Sequence, residues 1–123
     1  MKTVPHSGPD SAPIVNAMSI DVEDYFHVSA FDGLVPRSRW DSMESRVCAN
    51  TQRLLDIFDE FKVRSTFFVL GWVGERHPDL VATIARRGHE IASHGLELLP
   101  LHEGRPMAFR DDVRRAKRIL EDA

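Results

Sequence analysis

The sequence predicts an α/β fold in which parallel strands alternate with helices, and three observations carry that expectation. The stretch from Arg64 to Gly95 holds two short apolar runs, each bounded by a turn signal, with a helix-like segment between them, which reads as one βαβ unit. Residues 14–20, Ile-Val-Asn-Ala-Met-Ser-Ile, form an earlier and mostly apolar run, the pattern of a strand buried on both faces of a parallel sheet. Polar chemistry follows two of these runs: Asp21-Val22-Glu23-Asp24 after the first and Ser93-His94-Gly95 after the last. Open α/β folds place their reactive groups at strand ends, so carboxylates and an imidazole there suggest a metal site.

Composition bounds the reading. With 123 residues, 42% hydrophobic and 28% charged, the chain has ordinary globular composition and room for one modest domain. A formal net charge of −3 without a basic block gives no reason to expect nucleic acid as a partner. The single cysteine, Cys48, excludes an internal disulfide framework and fits a reducing compartment. No apolar run approaches membrane-spanning length. Residues 1–13 are polar, with Pro5, Gly8, Pro9 and Pro13, and are expected to be a disordered leader ahead of a domain over residues 14–123. That leader lacks the apolar segment of a secretory signal, so a cytoplasmic location is the default expectation.

In chain order, the first strand ends at Asp21, where three acids in four residues favour a functional group over a simple turn cap. Residues 25–39 show no period and are expected to loop over one edge of the site. His27 lies in that loop and reads as a packing or hydrogen-bonding histidine, since six histidines in this length include bystanders. Asp41 with Glu44 three residues on has the form of a capping box, and Val47, Thr51, Leu54, Leu55, Phe58 and Phe61 then keep helical spacing on one buried face.

Residues 65–70, Ser-Thr-Phe-Phe-Val-Leu, are β-branched and aromatic and form the second strand, with Gly71 allowing a sharp exit. Pro78 suits the first turn of a helix whose face is Leu80, Val81, Ile84 and Ala85, and Gly88 stops it after Arg86 and Arg87. Residues 90–93 are the third strand, short and expected to be central. After an irregular stretch, Pro106 opens a last helix with Phe109, Val113, Ala116 and Leu120 on one face. Strict βαβαβα order leaves sheet edges unpaired. The expectation is therefore the first part of a larger fold, or a chain completed by a homo-oligomeric partner through those edges.

Three ordered segments resemble a known family: residues 19–28 (SIDVEDYFHV), 64–71 (RSTFFVLG) and 88–95 (GHEIASHG). They are similar to polysaccharide deacetylases of the NodB-homology type, carbohydrate esterase family 4, and more narrowly to the branch beside exopolysaccharide and exosortase systems. The resemblance runs from about Asn16 to the end. It implies the N-terminal portion of a deformed (β/α) barrel, and metal-dependent removal of N-acetyl groups from a polysaccharide. It also implies that the barrel strands carrying a substrate-positioning arginine motif and a general-acid histidine are absent from this chain. Residue by residue, Asp21 matches the family's catalytic base, and His94 the first histidine of its H-x-x-x-H metal motif. Asp24 or Glu23 matches the metal carboxylate, because simple members place two aspartates side by side and this chain reads Asp-Val-Glu-Asp. The implied cofactor is a divalent cation, Zn²⁺ foremost, which lowers the pKa of a water and polarises the amide carbonyl while Asp21 takes the proton.

One position departs from the family. The second imidazole of H-x-x-x-H falls four residues after His94, at Leu98, and leucine cannot ligate. His102 is the nearest substitute. Three readings therefore stand side by side. The chain is a deacetylase; or it is an inactive, truncated binding or assembly module; or the acids cap loops, His94 is a satisfied strand-end histidine and no metal binds.

Overall fold

Three short strands, β1 (Ser19–Val22), β2 (Thr66–Val69) and β3 (Glu90–Ser93), pair in parallel in the order β1-β2-β3. The structure is a computed structural model that describes residues 14–97 and 105–123, so the expected leader lies outside the described residues. Among the described residues four α-helices accompany the sheet: α1 (Val47–Phe61), α2 (Gly71–Arg76), α3 (Pro78–Arg86) and α4 (Pro106–Glu121). The register runs Asp21 to Phe68 across β1 and β2, and Phe68 to Ala92 across β2 and β3. The α/β class is therefore as expected, but the central strand is β2, and β3 is an edge among the described residues. The apolar run of residues 65–70 explains this: Phe67, Val69 and Leu70 are fully buried, whereas β3 is half-buried at Ile91 and Ala92 and exposed at Glu90 and Ser93.

The first strand differs from its expected span. Ile14 and Val15 are 89% and 88% exposed, and the ladder begins only at Ser19. Strand length is set by the partner, and β2 offers four residues to pair. Asp21 consequently lies within β1, and only Val22 of that strand is buried.

The capping expectation fails for a similar reason. Asp41 sits in a 3-10 turn (Arg37–Ser42) and pairs with Arg76, while α1 starts at Val47. The chain entering α1 is held instead by Asp24, whose Oδ1 accepts the Arg46 N–H at 2.7 Å and whose Oδ2 accepts the Ser45 hydroxyl at 2.6 Å. A carboxylate distant in sequence has taken the capping role. On α1, Val47, Thr51, Leu55 and Phe58 are buried as the spacing requires, but Phe61 is 68% exposed beside the left-handed Lys62 that ends the helix. The α4 stripe divides likewise: Ala116 is fully buried, while Phe109 and Val113 are exposed.

Residues 25–42 are wound into short 3-10 turns rather than an open loop, around a buried aromatic cluster of Phe26, His27, Trp40 and Trp72. His27 is the packing and hydrogen-bonding histidine its context suggests. Its Nδ1 accepts the Asp24 N–H at 2.8 Å, which puts the neutral ring's proton on Nε2. That atom is buried without a hydrogen-bond partner among the described residues, and the ring meets Trp40 and Trp72 in T-shaped contacts with centroids 4.5 and 4.7 Å apart. Burial pushes the His27 pKa down to about 4, opposed by Asp24 and aided by Arg37 and Arg76.

The unfolded chain therefore binds a proton that the folded chain refuses, so stability contributed by neutral His27 is lost as pH falls from about 6.5 toward about 4. The loss amounts to about 2–3 kcal/mol. Chemical denaturation of the parent and His27→Gln at pH 7 and pH 4 is expected to show the parent losing that much more. Equal losses would contradict a buried neutral imidazole.

Candidate active site

Parallel pairing carries the chemistry of two separated segments to one end of the sheet. Asp21 projects from β1, and His94 follows β3 directly, with its N–H donating to Val69 O at 3.0 Å so that it continues the ladder. Across the end of β2, His94 Nε2 lies 3.5 Å from Asp21 Oδ2, with side-chain exposures of 26% and 59%. Both are open to a substrate. Side chains two apart along an extended chain leave the same face, so Glu23 joins Asp21 while Val22 turns into the core.

Glu23 responds electrostatically to both neighbours. Burial raises its pKa above the usual carboxylate range, His94 opposes that, and Asp21 adds to it. Among the described residues, one carboxylate oxygen, Glu23 Oε2, is buried without a hydrogen-bond partner, as is His94 Nδ1. Unsatisfied buried polar atoms of this kind are uncommon, and a carboxylate oxygen and an imidazole nitrogen are atom types that ligate cations. Asp24, the other carboxylate the resemblance offers, is placed elsewhere: it is 3% exposed and both its oxygens are taken by Ser45 and Arg46. Among the described residues no group of three His, Cys, Asp or Glu side chains is arranged to hold a metal. The donor set thus fits a cation in part, with a carboxylate and an imidazole. Leu98 and His102 lie outside the described residues.

The backbone after His94 is tightly tethered. Gly95 adopts φ +81°, and its N–H donates to Ser93 Oγ at 3.2 Å. From the start of α2, the Gly71 N–H donates to Gly95 O at 2.8 Å and the Trp72 N–H to Leu96 O at 3.0 Å. On the far side, Asp112 Oδ2 of α4 accepts the Leu96 N–H at 3.0 Å, and Arg37 pairs with Glu97 at 2.6 Å. Neither α2 nor Asp112 has a sequence signature for this role, because their partners are distant in the chain. Gly71 has one: the residue read as permitting a sharp exit is also where a side chain cannot fit. A Cβ there would lie 2.9 Å from Leu96 Cδ1 and 3.1 Å from Leu96 Cα. Gly71→Ala is accordingly expected to cost about 1–3 kcal/mol by overpacking, read as a lowered Tm, and an unchanged Tm would show that the loop yields freely.

Comparison with known proteins gives a consistent pattern. The sequence model of the family described as polysaccharide deacetylase matches residues 39–123. A peptidoglycan-N-acetylglucosamine deacetylase of Bacillus cereus is 30% identical over 71 residues, covering 58% of this chain and 33% of the relative. A chitooligosaccharide deacetylase of a Bradyrhizobium species is 32% identical over 73 residues, covering 59% of this chain and 33% of the relative. A crystal structure from Mycobacterium smegmatis, described as a candidate polysaccharide deacetylase, superposes with a TM-score of 0.74 at 32% identity over 98% of this chain and 43% of its own. The matches to these two curated relatives thus span about a third of each relative's length.

Proposed function

The chain belongs to the polysaccharide deacetylase family, and from that premise we propose that it serves the hydrolytic removal of N-acetyl groups from a polysaccharide. The observation that carries this reading is the approach of Asp21 to His94, 3.5 Å apart across the strand ends, beside a Glu23 oxygen with no partner among the described residues. In this reading Asp21 is the general base. Its carboxylate is exposed enough to meet a water at the substrate amide and to take the proton released on attack. His94 and Glu23 are the side chains that would hold a divalent cation, with Zn²⁺ the expected ion. Such an ion acidifies a water and polarises the acetamide carbonyl. Glu23 is preferred to Asp24 because Asp24 already anchors the entry to α1.

The substrates named for the relatives, chitooligosaccharide and peptidoglycan, support polymers of N-acetylated amino sugars as the substrate class, and in this reading the chain acts in exopolysaccharide modification. A second reading has a specific basis. Leucine at position 98 removes one of the family's two metal imidazoles, so the chain as it stands turns over poorly, as a deacetylase-like binding or assembly module.

Acetate release from chitooligosaccharide by the purified chain, with and without added Zn²⁺, tests both. Slow release that Asp21→Asn abolishes supports the assignment of the base, and release unaffected by Asp21→Asn removes it. Retention on the oligosaccharide without acetate favours the binding module, and rapid release overturns the expectation of low turnover.

A further inference from the structure

We propose that Asp112 is a positioning residue for this site, fixing through the Leu96 amide the loop that follows His94. The inference rests on the metal-site reading above. Leu96 is held at both of its peptide groups. Its carbonyl accepts the Trp72 N–H of α2, and its N–H donates to Asp112 Oδ2 of α4, each at 3.0 Å. A bond to an ionised carboxylate is of the stronger, charge-assisted kind, and this one is partly buried.

The carboxylate arrives from a firmly seated helix. One turn beyond Asp112, Ala116 is fully buried. Further along α4, Leu120 approaches α2 so closely that a Cβ on Gly74 would lie 2.8 Å from its Cδ2. Helix α4 therefore has little freedom to shift. The loop passes close to the same carboxylate: Gly95 is in the left-handed region, and an added Cβ there would be in ordinary contact with Asp112 Oδ2, at 3.6 Å. His94 precedes this clamped pair directly. The direction of its imidazole toward Asp21 and Glu23 depends on where Gly95 and Leu96 are held.

Outer partners that orient a metal ligand typically carry 10- to 100-fold in metal affinity, that is, about 10–100-fold expected here. The test compares the parent chain with Asp112→Ala, Asp112→Asn and, as a control on the same helix, Arg115→Ala. Three readouts are taken: hydrogen exchange at the Leu96 amide, the ring ¹⁵N shifts of His94, and Zn²⁺ affinity by competition with a chromophoric chelator. Asp112→Ala is expected to expose the Leu96 amide, move the His94 ring shifts and weaken Zn²⁺ by about 10–100-fold. Asn keeps an acceptor oxygen and should restore most of all three, and Arg115→Ala should leave them in place. An Asp112→Ala chain with unchanged His94 shifts, or with lost amide protection but undiminished Zn²⁺ affinity, overturns the proposal. If the parent itself binds no Zn²⁺, the metal reading fails, and the ring shifts alone decide whether Asp112 positions His94.

Discussion

A Leu98→His chain is expected to keep close to one zinc ion after loading and desalting, while the parent keeps a small fraction of one. The argument is one of donor count. Leucine has no lone pair, so the described residues offer one carboxylate and one imidazole, and an ion held by two protein donors stays mostly hydrated and exchanges readily. A third donor at the family's position should strengthen binding by more than the ~10–100-fold that outer partners contribute. Acetate release should rise in step. Elemental analysis of both chains after identical treatment is the check. A parent that retains a full equivalent would mean that another group completes the shell, and the structure narrows the choice. His27 is not free for it, because Nδ1 is bound to the Asp24 N–H and the ring is enclosed by Trp40 and Trp72. His102 or a partner chain would then be responsible.

Asp24→Ala and Glu23→Gln, adjacent in sequence, are expected to fail in opposite ways. Removing the Asp24 carboxylate leaves the Arg46 N–H and the Ser45 hydroxyl without their acceptor at the start of α1, in a part-buried setting. Hydrogen bonds to charged groups contribute about 1.5–3 kcal/mol each, and the two share one cap, so a loss of about 3 kcal/mol is expected. Zinc affinity should follow stability only. Glu23→Gln removes a charge whose burial is unfavourable, so stability should hold or rise at neutral pH while zinc affinity falls. Denaturation midpoints and zinc titrations of the two variants separate the roles. A stable Asp24→Ala chain that loses zinc would return the ligand role to Asp24.

Much of the fold was legible because it rests on local pattern. The runs at residues 65–70 and 90–93 become β2 and β3, Pro78 opens α3, Gly88 turns the chain with φ +82°, and Pro106 opens α4. Each is a preference expressed within a few residues. Where pairing decided, the local reading slipped: residues 14–17 continue the apolar run but pair with no strand among the described residues, and β1 extends to Val22 because β2 runs alongside it.

The sequence by itself determined the α/β class, the family through its ordered motifs, and the candidate chemistry of Asp21, His94 and a nearby acid. It also determined that position 98 cannot ligate, which is a matter of side-chain chemistry alone. Only the tertiary structure decided which acid stands beside His94, since Glu23 and Asp24 are equivalent as letters and are separated by strand alternation and by the distant demand of Ser45 and Arg46. It likewise decided that Asp112 and the start of α2 clamp the loop after His94. The physical reason is common to both: a hydrogen-bond acceptor takes the donor that folding brings to it, and no local pattern records a partner 16 or 22 residues away.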